Sequence, residues 1–145
     1  MRVQTGSEDE TVALGRELAA TVLPPSGLVL LIGNLGAGKT TLAKGIAEGR
    51  GAAQRDEISS PTFTLIHEYG DPPRVYHIDL YRLDEARQAA ALGIDELLDR
   101  DGALVLIEWG ERFPELWPAG HTEIRIERRP GTDQRIFEIR PAKAS

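Results

Sequence analysis

The chain contains no cysteine, a single methionine and few aromatic residues, 6% of 145. Without cysteine there is no disulfide, thiolate nucleophile, iron–sulfur cluster or Cys-ligated zinc site. Its three histidines, His67, His77 and His121, are scattered at no metal-ligand spacing, so a redox or zinc function is not expected. Long apolar runs are absent too. The longest covers residues 28–32, far short of the roughly 18–20 residues that span a bilayer. The first ten residues, MRVQTGSEDE, lack the basic start and apolar stretch of a signal peptide, so a cytoplasmic location is expected. Positive charge is scarce: the formal net charge is −6, with 11 Lys+Arg against 19 Asp+Glu over residues 1–120 and 6 against 4 over residues 121–145. Phosphate neutralisation needs a basic surface. Broad nucleic-acid binding by this chain alone is therefore disfavoured, with a small basic patch near the C-terminus as the exception.

The length fits one domain, and no repeat or linker divides residues 1–145. Ser7 with Glu10 forms the capping-box pattern, Glu8, Asp9 and Glu10 suit a helix start, and Leu14, Leu18 and Val22 recur at fourth positions; a helix is predicted over about 8–22. Residues 27–32 are continuously apolar and bounded by glycine, as in a strand buried on both faces. A glycine-rich loop follows, and a second helix is predicted from Lys39 to the stop at Gly49 and Gly51. Residues 62–69 and 74–80 alternate around a Gly-Asp-Pro-Pro turn as an antiparallel hairpin. Short helices are predicted over 84–92 and 93–98, an apolar strand over 103–107 ended by Glu108, and a second hairpin from residues 123–127 and 135–140. The class is α/β with a mixed sheet.

The loop carries the chemistry. Gly33, Asn34, Leu35, Gly36, Ala37, Gly38, Lys39 and Thr40 match G-x-x-x-x-G-K-[ST] between a buried strand and a helix, the phosphate-binding loop of nucleoside triphosphatases. Glycines let backbone N–H groups approach phosphate oxygens. The Lys39 ammonium suits the β/γ-phosphates, the Thr40 hydroxyl suits Mg²⁺, and the helix start adds its dipole. A chance match has a frequency of about one in a hundred chains of this length, before strand and helix context is demanded. The dinucleotide fingerprint G-x-G-x-x-G does not fit these glycines.

Such a loop also needs a carboxylate on the metal side and a group that handles the attacking water. Glu108, closing an apolar strand, would hold Mg²⁺ directly or through water; Asp79, closing residues 75–79, could orient or deprotonate a water. Either acid could equally cap a helix or pair with an arginine such as Arg82. Thr62, in Ser-Ser-Pro-Thr, could sense a γ-phosphate or belong to an ordinary proline turn. Trp109 fits packing better than base stacking, and His77 fits a hydrogen-bonded structural histidine better than a catalyst.

Together, GNLGAGKTT (33–41), SPTFTL (60–65), HIDLYRL (77–83), GIDELL (93–98) and IEW (107–109) resemble the TsaE (YjeE) family, over about residues 7–110. HIDLYR with IEW is what separates this pattern from other triphosphatases. The resemblance implies a three-layer P-loop NTPase fold, a mixed, mostly parallel sheet flanked by helices with antiparallel hairpins. It implies an ATPase that binds Mg²⁺ and ATP and joins TsaB and TsaD, meeting tRNA through that complex. TsaD transfers threonylcarbamoyl from an adenylate to adenosine 37 of tRNAs reading ANN codons, and ATP hydrolysis resets the complex. Carried over by position, residues 33–41, Thr41 included, hold the phosphates, Thr40 and Glu108 the metal, and Asp79 with Lys39 serves hydrolysis. Trp109 lies near the site, and Glu8 and Arg135 contact base or ribose. Asn34 departs from the family's usual Asp. The competing reading is a P-loop small-molecule kinase, but the region between the first hairpin and IEW offers only Arg82, Arg87 and Arg100, with no evident arginine-bearing lid. A GTPase would need N-K-x-D, which does not occur. A third, non-enzymatic reading is a slow nucleotide-sensing module that docks on a partner when ATP is bound.

Overall fold

A computed structural model of the chain describes residues 1–34, 36–52, 66–70, 74–99 and 102–141. Leu35, Thr62 and the rest of the 60–65 motif lie outside the described residues. In chain order the elements are β1 (Arg2–Thr5), α1 (Glu8–Thr21), β2 (Gly27–Ile32), α2 (Lys39–Gly49), β3 (Ile66–Tyr69) and β4 (Val75–Asp79). Then come α3 (Ala86–Ala90), α4 (Ile94–Leu98), β5 (Leu104–Glu108), 3-10 turns at Gly110–Arg112 and Pro114–Leu116, β6 (Thr122–Arg128) and β7 (Arg135–Arg140).

The apolar runs of β2 and β5 are buried on both faces because helices cover both. Successive strand side chains point to opposite faces. Val29, Leu31, Leu104 and Leu106 therefore join Leu18, Leu42 and Ile46 from α1 and α2 in one core. Leu28, Leu30, Val105 and Ile107 join Ala89, Ile94, Leu97 and Trp117 in a second core on the other face. The result is three layers around one seven-stranded sheet of order β1-β7-β6-β2-β5-β4-β3. The central strands β6, β2, β5 and β4 run parallel, and the antiparallel pairs β3–β4, β6–β7 and β1–β7 stand at the edges. Among the described residues no helix is long and apolar enough to cross a membrane.

Three details differ from the sequence pattern. The helix predicted over 84–92 is shorter, α3, because the Asp84 and Glu85 N–H groups both donate to Gln88 Oε1 at 3.0 Å and hold the chain in a cap. β1 is not expected from sequence: Arg-Val-Gln-Thr has no strand signal of its own and is held by its ladder to β7, with Val3 packed on the core and Thr5 hydrogen-bonded to Thr11 of α1 at 2.7 Å. Nor are the two 3-10 turns, which Trp117 fastens by donating from Nε1 to Gly110 O at 2.7 Å.

Helices α1 and α2 cross at backbone distance. A Cβ on Gly45 would lie 2.2 Å from Val12 O, and one on Gly15 2.6 Å from Leu42 O. Both contacts are to backbone, which cannot rotate away. Because α2 begins at the phosphate-loop motif, this contact also seats the site. Gly45→Ala should cost about 1–3 kcal/mol through overpacking, read as a fall of several degrees in the thermal midpoint; an unchanged midpoint would show that the helices separate freely.

Candidate functional site

Parallel strands end on the same edge of a sheet, so the residues closing β2, β4 and β5 are gathered there. The register sets Glu108 beside Leu31 of β2 and beside Asp79 of β4. The loop leaving β2 runs over this edge into α2. Between them lies a cleft of about 250 Å³.

The two long helices begin differently. At α1, Ser7 Oγ accepts the Glu10 N–H at 3.1 Å, Glu10 Oε2 accepts the Gly6 N–H at 3.1 Å, and three acids fill the first turn. That helix start is closed by its own side chains. At α2 the cap is Gly38, with no side-chain hydrogen bond and no acid in the first turn, so its leading N–H groups and dipole are open to an anion. Gly38 has φ 113°, which a side chain rarely adopts, and the space a Cβ would need is taken by Arg135 Cδ and Nε, 2.8 Å away. Arg135 thereby lies along the loop from β7 and lines the cleft.

Lys39 is 4% exposed. Its ammonium donates to Gly33 O at 2.8 Å and sits 3.5 Å from the centre of the Trp109 ring. Burial lowers its pKa, against the pull of Glu108, Glu111 and Asp79. Trp109 holds φ 67°, the one positive φ outside glycine among the described residues, and strain of this kind gathers at functional sites. The conformation turns its ring under Lys39, with Tyr81 at 5.2 Å between centroids and the Arg112 guanidinium at 4.9 Å.

Glu108 is 4% exposed and has two partners. The Thr40 hydroxyl donates to Oε2 at 3.2 Å, and His77 Nε2 lies 2.5 Å from the same oxygen. Asp79 is half-buried and accepts the Tyr81 N–H at 2.9 Å. Burial raises the pKa of Asp79, the Tyr81 N–H opposes this, and the neighbouring Glu108 charge adds to it.

An open helix start, a buried ammonium and two adjacent carboxylates, one bonded to a hydroxyl, suit a polyphosphate carrying a divalent cation. Among the described residues no group of three or more His, Asp and Glu could hold a metal ion by itself. A cation here would take a hydroxyl and a carboxylate from the chain and its remaining oxygens from phosphate and water, which is how Mg²⁺ is usually bound.

A family model described as threonylcarbamoyl adenosine biosynthesis protein TsaE matches residues 5–137. The chain belongs to the TsaE family. Curated members named tRNA threonylcarbamoyladenosine biosynthesis protein TsaE include one from Bacillus subtilis, 38% identical over 136 residues, covering 93% of this chain and 82% of the relative. Another, from Nostoc sp., is 42% identical over 118 residues, covering 78% and 70%. The crystal structure of Bacillus subtilis YdiB aligns with a TM-score of 0.75 and 34% identity over 99% of this chain and 86% of that one.

Of the residues singled out in this TsaE member, Gly36, Gly38, Lys39, Thr40, Thr41, Asp79, Glu108, Trp109 and Arg135 line one cleft. Ala37 is buried beneath the loop in the α1–α2 core, Gly33 accepts the Lys39 ammonium, and Asn34 accepts the Ala37 N–H at 3.0 Å. Glu8 stands exposed at the first position of α1 and is not among the residues lining the cleft. Tyr81, which the sequence reading did not single out, lines the cleft. His77 is hydrogen-bonded, as expected, and the partner that the sequence did not reveal is Glu108. In a strand, residues two apart share a face, and that spacing, His77 to Asp79, was the available signal.

A carboxyl whose folded pKa is raised is a net cost to folding above that pKa; the cost fades as pH falls through it and is gone below the unfolded value, about 3.8. Asp79→Asn should accordingly unfold at a higher temperature than the unaltered protein at pH 7, with the difference shrinking toward pH 3.5. Equal midpoints at pH 7 would show that Asp79 is not desolvated at a cost.

Proposed function

We propose that this chain is a Mg²⁺-dependent ATPase that acts with TsaB and TsaD in threonylcarbamoylation of adenosine 37 in tRNAs reading ANN codons. The observation that carries the ATPase reading is the pair Asp79 and Glu108, side by side in register and facing the open start of α2. Family membership supports the pathway. In this reading hydrolysis resets the TsaB–TsaD complex between turnovers, and tRNA is met through that complex.

The residues divide the work. The N–H groups of residues 36–41 that are described, with the α2 dipole, receive the phosphates. Lys39 leaves Gly33 O and the Trp109 ring for the β/γ-phosphate oxygens, a short move because the ammonium already stands in the cleft. Thr40 and Glu108 would hold Mg²⁺, directly or through water, and the ion would supply neutralisation of the phosphate charge. Asp79 orients or deprotonates the attacking water; its raised pKa brings it nearer to a base useful at neutral pH. Arg135, lying along the loop at Gly38, is placed for the ribose or base.

Nucleotide binding, hydrolysis and multiple-turnover modification by TsaB–TsaD test this together. Lys39→Ala should lose Mg·ATP binding. Asp79→Ala should keep binding but hydrolyse about 10²–10⁴-fold more slowly, the range for loss of general acid–base assistance. The unaltered chain should hydrolyse weakly alone and be required for repeated modification cycles. Wild-type hydrolysis by Asp79→Ala would remove its assigned role, and efficient phosphoryl transfer to a small acceptor would replace the ATPase reading by a kinase.

A further inference from the structure

We infer that His77 is a positioning residue for the metal-side carboxylate: it clamps one oxygen of Glu108 and leaves the other for the cation. This rests on the ATPase reading above. His77 is 1% exposed in the middle of β4, on the face shared with Asp79. Among the described residues its one hydrogen bond is Nε2 to Glu108 Oε2, at 2.5 Å, and Nδ1 is buried with no partner. A buried polar ring needs at least one partner, and the partner that this ring has is a carboxylate of the site.

The direction of that bond follows from its partner. A Glu108 that holds a cation does so as a carboxylate, which only accepts, so in that role Nε2 is the donor. Oε2 then has two donors, His77 and the Thr40 hydroxyl at 3.2 Å, and that hydroxyl, with one proton to give, stands farther from Oε1, at 3.5 Å. The two oxygens are thus inequivalent: Oε2 is committed to the protein and Oε1 is available. Without His77, Glu108 would keep one weak neutral donor in a buried position and be free to turn about its last torsion. Outer partners of metal-ligating carboxylates fix orientation in this way, and their loss typically costs about 10–100-fold in metal affinity or activity.

The test measures ADP binding by thermal shift while Mg²⁺ is titrated, for the unaltered protein, His77→Leu, His77→Gln and His77→Asn. His77→Leu should raise the half-saturating Mg²⁺ concentration about 10–100-fold and leave ADP affinity in EDTA unchanged. His77→Gln, which keeps a donor at similar reach, should restore most of the Mg²⁺ response, and His77→Asn, whose donor is too short, should not. If His77→Leu does not fold, the Gln and Asn pair carries the comparison. A lowered thermal midpoint of the ligand-free protein with an unchanged Mg²⁺ midpoint in every folded variant would make His77 a packing residue and overturn the inference alone. Absence of any Mg²⁺-dependent nucleotide binding in the unaltered protein would overturn the ATPase reading and the inference with it.

Discussion

A carboxylate buried at the end of a central strand is the constraint around which this molecule is arranged. Taking an unpaired carboxylate out of water costs several kcal/mol even after relaxation, and Glu108 is 4% exposed between β2 and β4. The cost is offset by groups that two different elements must deliver to one point: the Thr40 hydroxyl and the nearby Lys39 ammonium from the first turn of α2, and His77 from β4. Each delivery imposes a demand on the fold. β4 must lie beside β5 and parallel to it, with Asp79 level with Glu108. α2 must begin at the sheet edge, which its glycine contact with α1 secures.

In the proposed reaction the same constraint would tie metal to nucleotide. The described residues offer a cation one hydroxyl and one free carboxylate oxygen near each other, too few to retain Mg²⁺ against its hydration. The phosphates of a bound nucleotide would supply further oxygens, so metal and nucleotide would bind better together than apart. Lys39 fits this picture. Its partly desolvated charge meets Gly33 O and the face of Trp109, and the unusual backbone of Trp109 is what puts that face there. The strained residue follows directly on Glu108, so the strand that positions the carboxylate also positions the ring beside the ammonium.

Much of this was legible because its signals are local. The loop motif, the capping box at Ser7 and Glu10, and the fully apolar runs of β2 and β5 each depend on residues within one turn or strand. What was not legible depends on partners far along the chain. β1 exists because β7 offers it a ladder. The α1–α2 crossing rests on Gly15 and Gly45, neither of which announces a packing role in sequence; Gly49, read there as a helix stop, is also in it, since a Cβ on it would meet Arg16 O at 2.8 Å. Glu8 is assigned to a nucleotide by resemblance alone; it stands exposed at the first position of α1, whose start is capped by Ser7 and Glu10, and is not among the residues that line the cleft.

His77 shows why residue type is a poorer guide than strand parity. Taken by itself, a histidine in a hairpin is most simply a hydrogen-bonded structural residue, and its type does not say which partner it meets. Period-two geometry adds a constraint that does not depend on type: Val75, His77 and Asp79 must share one face of β4, as Leu104, Leu106 and Glu108 share one face of β5. Once Asp79 and Glu108 are placed in one cleft on the α2 side of the sheet, His77 is obliged to point to that side as well, one pleat deeper, where water cannot solvate it. A polar ring there needs a polar partner, and the end of β5 is where one stands. The role of His77 thus follows from the two acids and the pleat, two elements already visible in the sequence, with only the strand order β5–β4 needed to join them.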